Sequence, residues 1–419
     1  MLIPMPRLID KYDPISVVTP NIKIYFYGAG TGASSYSLIG IAALRSLGLE
    51  PYCFMDDNHH QYTDGFHGYN VISPEDGIQE IINDPQSSRL IISSNYFKSI
   101  MDNITRIAIG DIDVYSLTPF RGIIEEGCAK DLISHSDLDR KLMAHETKAA
   151  QYLRHFTSED ALDVPFLDIQ LTERCTLRCK DCSNLMQYYS RPVHSDSEHL
   201  VLSLERLLDS IDCLREARLL GGEPFLYSDI SQVIETLLQS KKVFNIIIYT
   251  NGTIIPSPNV IRSLQHPNII VEITDYGSLS RRRDELVSVF NDHKIRYVCH
   301  KPQNWTDSAR IVDNRLSEKE LIQMYSACCV SDVLTLLHGK LFHCPFSANL
   351  FNLLADELPI GEAITVLDHA KDDLREALHS FLYSKQYLEA CKRCLGRDFT
   401  QPLVEPAIQT RLVLQVPDL

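Results

Sequence analysis

Basic residues are scarce in this chain. Lys and Arg together number 40 against 55 Asp and Glu, for a formal net charge of −15. Such a balance argues against nucleic acid or an anionic membrane as the main partner. No apolar stretch is long enough to cross a bilayer. The opening residues, Met1-Leu-Ile-Pro-Met-Pro-Arg7, lack the basic region and apolar core of a signal peptide. Internal repeats and low-complexity stretches are also missing. What is present is a 419-residue chain, 44% hydrophobic and 23% charged, enough for two or three domains with real cores. Cysteine, by contrast, is plentiful at twelve. Without a sign of secretion these cysteines read as metal or cluster ligands rather than disulfides, and a reducing, cytoplasmic setting is expected.

The first part of the chain alternates strand and helix patterns. Residues 22–27 read as a buried strand, followed by Gly28-Ala-Gly30-Thr-Gly-Ala33 and a helical stretch to about Leu47. Residues 51–55 form a second strand that ends at Asp56 and Asp57. Short strands at 71–72, 90–92 and 114–117 complete a Rossmann-like α/β unit with a parallel sheet over 1–135, and 136–160 suits a linker helix. A second unit, 161–315, shows strand runs at 166–171, 217–220, 245–250, 269–274 and 295–299 with helical segments between them. That alternation predicts a partial (β/α) barrel with its chemistry at the C-terminal strand ends. A third unit, 316–400, holds five of the twelve cysteines, and 401–419 reads as a tail.

Cys175, Cys179 and Cys182 stand as Cys-x-x-x-Cys-x-x-Cys, directly after the strand run 166–171. A 4Fe-4S cluster normally takes four cysteines, so three leave one iron open to a small molecule. The competing reading is a zinc knuckle or three unrelated thiols. Gly221-Gly222-Glu223-Pro224 follows the next strand run. Its glycines permit close backbone approach, and Glu223 is a charge-assisted acceptor for an ammonium; the plain alternative is a strand-to-helix turn. Tyr249-Thr250-Asn251-Gly252 and Ile273-Thr274-Asp275-Tyr276-Gly277 close later strands and fit either ligand contacts or turns.

Together these motifs resemble the radical S-adenosylmethionine (SAM) superfamily. The resemblance implies a SAM-binding 4Fe-4S cluster on Cys175, Cys179 and Cys182, with SAM held by Gly221, Gly222, Glu223, Pro224, Thr250, Asn251, Thr274 and Asp275. Asp275, Tyr276 and Cys299 are candidate catalytic groups, and Met186, Tyr188, Tyr189 and Arg191 candidate cavity-lining or loop-packing residues. Asp181 stands where the family usually has an aromatic. A later set, Cys328 or Cys329 with Cys344, Cys391 and Cys394, resembles the twitch form of the SPASM auxiliary-cluster module and implies a second 4Fe-4S cluster. A four-thiolate zinc site has the same spacing. Between these cysteines, 333–342 reads as a hairpin turning at His338-Gly339. Cys53, Cys128, Cys213 and Cys299 fall outside both sets and read as core residues.

Gly28, Gly30 and Ala33, with Asp56 and Asp57, approximate a dinucleotide fingerprint; the runs Tyr27-Gly-Ala-Gly-Thr-Gly32, Phe54-Met-Asp-Asp-Asn58 and Gly68-Tyr-Asn-Val-Ile-Ser-Pro74 resemble the N-terminal domain of bacterial sugar acyltransferases, which implies a nucleotide-binding or scaffold domain. The whole is similar to aminocyclitol dehydrogenases. It implies a radical SAM enzyme acting by dehydrogenation or epimerisation on a carbohydrate-like or nucleotide-linked small molecule, with a flavodoxin or ferredoxin-type reductant. A peptide maturase and a non-enzymatic zinc- and nucleotide-binding protein are the alternatives.

Overall fold

The computed structural model describes residues 6–29, 36–108, 112–124, 132, 135–154, 162–354, 359, 361–383, 385–397 and 401–417. The chain folds as two compact units, Met1–Glu159 and Asp160–Leu419.

The first unit is built on six parallel strands: β1 (Arg7–Ile9), β2 (Lys23–Tyr27), β3 (Cys53–Met55), β4 (Val71–Ile72), β5 (Ser88–Ile92) and β6 (Asp113–Tyr115), in the order β1-β6-β5-β2-β3-β4. The strands are short and nearly all apolar because helices cover both faces of a parallel sheet. Phe26, Phe54 and Ile91 join the core on one side; Tyr25, Tyr27, Met55 and Ile92 join that on the other. Strand order reverses between β2 and β5, which is the switch point where doubly wound sheets bind ligands. Helix His135–Arg154, expected to link domains, packs into this unit. Leu138 and Leu142 join one core and Ala149 the other, and buried His145 accepts the Leu117 N–H at 3.0 Å.

In the second unit β7 (Asp163–Thr172), β8 (Cys213–Gly221), β9 (Val243–Thr250), β10 (Ile269–Thr274) and β11 (Tyr297–His300) pair in parallel, with helices such as Ser197–Ser210 and Ile230–Gln239 between them. These strands match the five predicted runs, mostly extended toward their starts. A two-stranded antiparallel pair joins β12 (Trp305–Thr306) to a later segment. The predicted hairpin is β13 (Val333–Leu337) and β14 (Lys340–Phe342). Its turn residues His338 and Gly339 have φ of 49° and 77°, the conformation of a two-residue type I′ connection. β13 pairs in parallel with β7, so the third unit extends the barrel sheet to the order β11-β10-β9-β8-β7-β13-β14-β15, with β15 at Ala363–Thr365.

Strand alternation sorts the sheet's two faces. Leu167, Ile169 and Leu171 of β7 join the large apolar cluster with Ala217, Leu219, Ile246, Ile248, Val271 and Leu336. The alternate residues, Phe166, Asp168, Gln170 and Thr172, stand on the opposite face, and all are buried. The predicted tail is also packed: β16 (Leu403–Val404) is the strand that pairs with β12. Among the described residues no helix is long and apolar enough to cross a membrane.

Candidate functional site

β7 ends at Thr172, and the next residues form the three-cysteine loop. Its base is fixed by buried Glu173, which accepts from the Val193 N–H at 2.8 Å and from Asn352 Nδ2 at 2.7 Å and lies 2.9 Å from His338 Nε2. One carboxylate thus closes the loop that contains Cys175, Cys179 and Cys182. Their sulfurs receive N–H donors. Cys175 Sγ accepts from Leu177 N at 3.4 Å and Asn251 Nδ2 at 3.6 Å, and Cys179 Sγ from Gln409 Nε2 at 3.2 Å. Burial, and after it the field of Cys182, push the Cys179 thiol up to about 12; burial likewise raises Cys175 and Cys182. Metal-free, these thiols hold their protons, and loading must displace them. Among the described residues no three His, Cys, Asp or Glu side chains converge on a point suited to a single ion. A cube that spreads its thiolates over separate irons needs no such convergence. The donors to sulfur and the loop's closed base fit a cluster bound through three thiolates.

The Gly221-Gly222-Glu223 turn lies against this loop. Gly222 N donates to Thr172 O and Glu223 N to Arg174 O, both at 2.8 Å. A Cβ at Gly222 would stand 2.1 Å from Arg174 O, so only glycine lets the two backbones approach. Asn184 Nδ2 also reaches Gly221 O at 3.2 Å. Glu223 is fully buried and accepts from Thr250 Oγ1 (2.8 Å), Asn251 N (2.9 Å) and Phe225 N (3.3 Å). Burial pushes its carboxyl up to about 7, against the pull of those hydrogen bonds. A carboxylate offers about four acceptor positions, so three are filled and one remains.

The other strand ends divide. Thr250 and Asn251 join the loop through Glu223 and Cys175. Asp275 pairs with Arg283 and accepts the Gly277 N–H, which is turn and ion-pair chemistry. The Tyr276 phenol is raised well above its usual range by burial first, then by the fields of Cys179 and Cys182. Its ring packs edge-on against Trp305. Cys299 is exposed, on the same face of β11 as Tyr297. Met186, Tyr188 and Tyr189 are buried. Tyr188 belongs to the apolar cluster of the C-terminal module, and the Tyr189 hydroxyl donates to Asn349.

Cys328, Cys344, Cys391 and Cys394 line one cavity, with Ser183, the residue after Cys182, on its wall. Cys329 is exposed and is not part of that lining. Sequence spacing could not separate these neighbours, and of the two Cys328 is the one that lines the cavity. Ser347 N donates to Cys344 Sγ and Gly396 N to Cys394 Sγ, each at 3.3 Å. Burial pushes Cys328 and Cys391 up to about 12, and holds Cys344 and Cys394 above their ordinary range. Of the remaining cysteines, Cys53 and Cys213 are buried, and Cys128 lies outside the described residues.

Sequence reasoning missed a charged group on the sheet. Arg218 of β8 lies over the Phe166 ring at 4.0 Å, 2.6 Å from Glu216 Oε1 and 3.8 Å from Asp168 Oδ1. Burial outweighs the pull of Arg218 and raises the Asp168 carboxyl to about 6. The signal was there: Asp168 and Gln170 interrupt an apolar run at alternate positions.

In the first unit the β2 loop begins at the switch point. Gly28 has φ +107°. Asp56 accepts from Ala29 N and Asn58 N, both at 2.9 Å, and so ties that loop to the end of β3. Gly30 and Ala33 lie outside the described residues.

Residues 169–274 match the family model described as the radical SAM superfamily. The match spans Cys175, Cys179, Cys182, Gly221 to Pro224, Thr250, Asn251 and Thr274, so this segment is a radical SAM domain and the resemblance read from its motifs is borne out. A GTP 3′,8-cyclase of Clostridium acetobutylicum is 32% identical over 94 residues, which is 22% of this chain and 29% of that protein. The chain therefore spans less than a third of that curated relative's length. Among solved structures, BtrN in complex with AdoMet and 2-DOIA is 19% identical, with a TM-score of 0.36 over 57% of this chain and 94% of that one. Streptococcus suis SuiB bound to its precursor peptide SuiA is 18% identical, with a TM-score of 0.28 over 40% and 38%.

Proposed function

We propose that this chain is a radical SAM enzyme that takes hydrogen from a carbon of a small, polar, carbohydrate-like molecule. The observation that carries the reading is the clamp between the three-thiol loop and Gly221-Gly222-Glu223, where the backbones meet through Gly222 N and Glu223 N. When bound, a reduced 4Fe-4S cluster and SAM together supply a 5′-deoxyadenosyl radical. The chain's own residues do the rest. Cys175, Cys179 and Cys182 would hold the cluster by three thiolates, which would leave one iron for the methionine part of SAM. Glu223 has one acceptor position left for its ammonium, with Thr250 and Asn251 locked behind that carboxylate. The Asp168, Glu216 and Arg218 group gives the sheet's polar face donors and acceptors suited to hydroxyls or amines.

Cys328, Cys344, Cys391 and Cys394 are proposed to hold a second 4Fe-4S cluster. Four thiolates would leave it no open iron, so it would serve as an electron acceptor. That favours net two-electron oxidation over epimerisation. Exposed Cys299, on the strand face that carries Tyr297, gives hydrogen return little support. A flavodoxin or ferredoxin-type protein is the proposed reductant. In the first unit, the start of the β2 loop at Gly28 and Ala29 is proposed to bind a phosphate or nucleotide.

Protein purified without oxygen, reduced and given SAM should form 5′-deoxyadenosine and methionine. Iron-loaded protein that cleaves no SAM would count against the assignment. Once a substrate is found, turnover in deuterated water separates the outcomes. An oxidised product keeps no solvent deuterium beyond exchange beside the new carbonyl. One deuterium at the attacked carbon with otherwise unchanged mass would mean epimerisation.

A further inference from the structure

Residues 407–410 return to the three-cysteine loop and meet it through a single antiparallel bridge. Lys180 N donates to Ile408 O at 2.7 Å, Thr410 N donates to Arg178 O at 2.8 Å, and Cys179 and Gln409 form the bridge between them. The Gln409 side chain is held at both ends. Its Oε1 accepts the Arg178 backbone N–H at 2.7 Å. Its Nε2 donates to Ala407 O at 2.8 Å and to Cys179 Sγ at 3.2 Å. The amide cannot be turned around without facing its NH2 at another N–H, so the group beside the sulfur is a donor.

We infer that Gln409 is a positioning residue that tunes the SAM-binding cluster through the Cys179 thiolate. The inference rests on the proposed cluster at Cys175, Cys179 and Cys182. Reduction adds one electron to the cluster and makes its sulfur ligands more negative. A hydrogen bond to such a sulfur stabilises the reduced form more than the oxidised form and raises the potential. The C-terminal segment thus makes the first electron easier to deliver, and it does so from 230 residues away in sequence.

Two variants test this in the full chain, purified without oxygen. Gln409→Glu keeps an acceptor for the Arg178 N–H, so it keeps that end of the clamp, but turns an oxygen toward Ala407 O and the sulfur. Gln409→Leu removes the donor without adding charge. The signal to follow is the reduced-cluster paramagnetic resonance that changes on adding SAM, which separates this cluster from any other. Its redox titration should move to lower potential in both variants, further in Gln409→Glu. The ratio of reduced to oxidised cluster at fixed potential should fall on the order of tenfold, equivalent to about 59 mV for one electron. Iron content should stay at the parent level. Unchanged midpoints in both variants, with the SAM-responsive signal intact, would overturn the role of Gln409 and leave the cluster assignment standing. A parent protein with no SAM-responsive cluster would overturn both.

Discussion

Glu223 shows how much one residue is asked to do. It is fully buried, binds three protein donors, and sits behind the glycines that press on the cysteine loop. Replacing it with Gln keeps the shape and most hydrogen bonds but removes the charge. If the last acceptor position takes the SAM ammonium, Glu223→Gln should weaken SAM binding by roughly 10- to 100-fold, the span of about 1.5–3 kcal/mol for a charge-assisted hydrogen bond. Calorimetry on iron-loaded protein measures this; equal affinity would remove Glu223 from the site. The cysteine pair makes a second residue-scale test. Cys328 faces the cavity and Cys329 faces solvent. Cys328→Ala should therefore lose the second set of irons, while Cys329→Ala should keep the parent iron content. The motif cysteines could be proposed from sequence because the chemistry they suggest lies in residue type and spacing. The choice between adjacent cysteines could not be, because it depends on which way each side chain points.

At the scale of elements, the parallel strands were legible because their apolar runs are bounded by turn residues, and the type I′ hairpin because Gly339 permits a positive φ. Segments whose partners are distant in sequence were not. Residues 401–419 read as a tail because nothing local marks Gln409 as a partner of Cys179. Helix His135–Arg154 read as a linker because its polar sequence hides the few apolar positions it buries. Its His145 carries a testable cost. Burial lowers the imidazole to about 3 from an ordinary 6.5, so the folded unit keeps it neutral and accepting from Leu117 N. The unfolded chain binds the proton first as pH falls. Stability from this group is complete above about 6.5 and is lost as pH drops toward 3, at most about 1.4 kcal/mol per pH unit. Between pH 6.5 and 5, amide exchange in peptides covering 112–124 should accelerate by up to roughly tenfold per unit relative to His145→Gln, after correction for intrinsic rates. Parallel profiles would show that His145 is protonated in the folded state.

The whole molecule places two thiol sets on different supports. Cys175, Cys179 and Cys182 sit on the loop after β7, closed by Glu173 and pressed by Gly222. Cys328, Cys344, Cys391 and Cys394 belong to a cavity walled by the segments around the β13–β14 hairpin, with their own backbone donors. Neither set borrows a sulfur from the other, so each should load without the other. They are joined through the sheet, since β13 pairs with β7, and through Tyr188, which packs in the apolar cluster containing Cys391. That joining would suit electron transfer between the two proposed clusters without making either one's assembly depend on its partner. A Cys175→Ala, Cys179→Ala, Cys182→Ala variant should retain about four irons per chain and form no 5′-deoxyadenosine. The complementary Cys344→Ala, Cys391→Ala, Cys394→Ala variant should also retain about four irons, still cleave SAM, and fail to complete the oxidation of substrate. Iron and sulfide analysis with a SAM-cleavage assay reads both variants. If the first variant still cleaves SAM, the cluster has been placed on the wrong cysteines. If the second loses all iron and stays folded, the two sites load as one, and the C-terminal module is a structural requirement for the first cluster rather than an electron acceptor beside it.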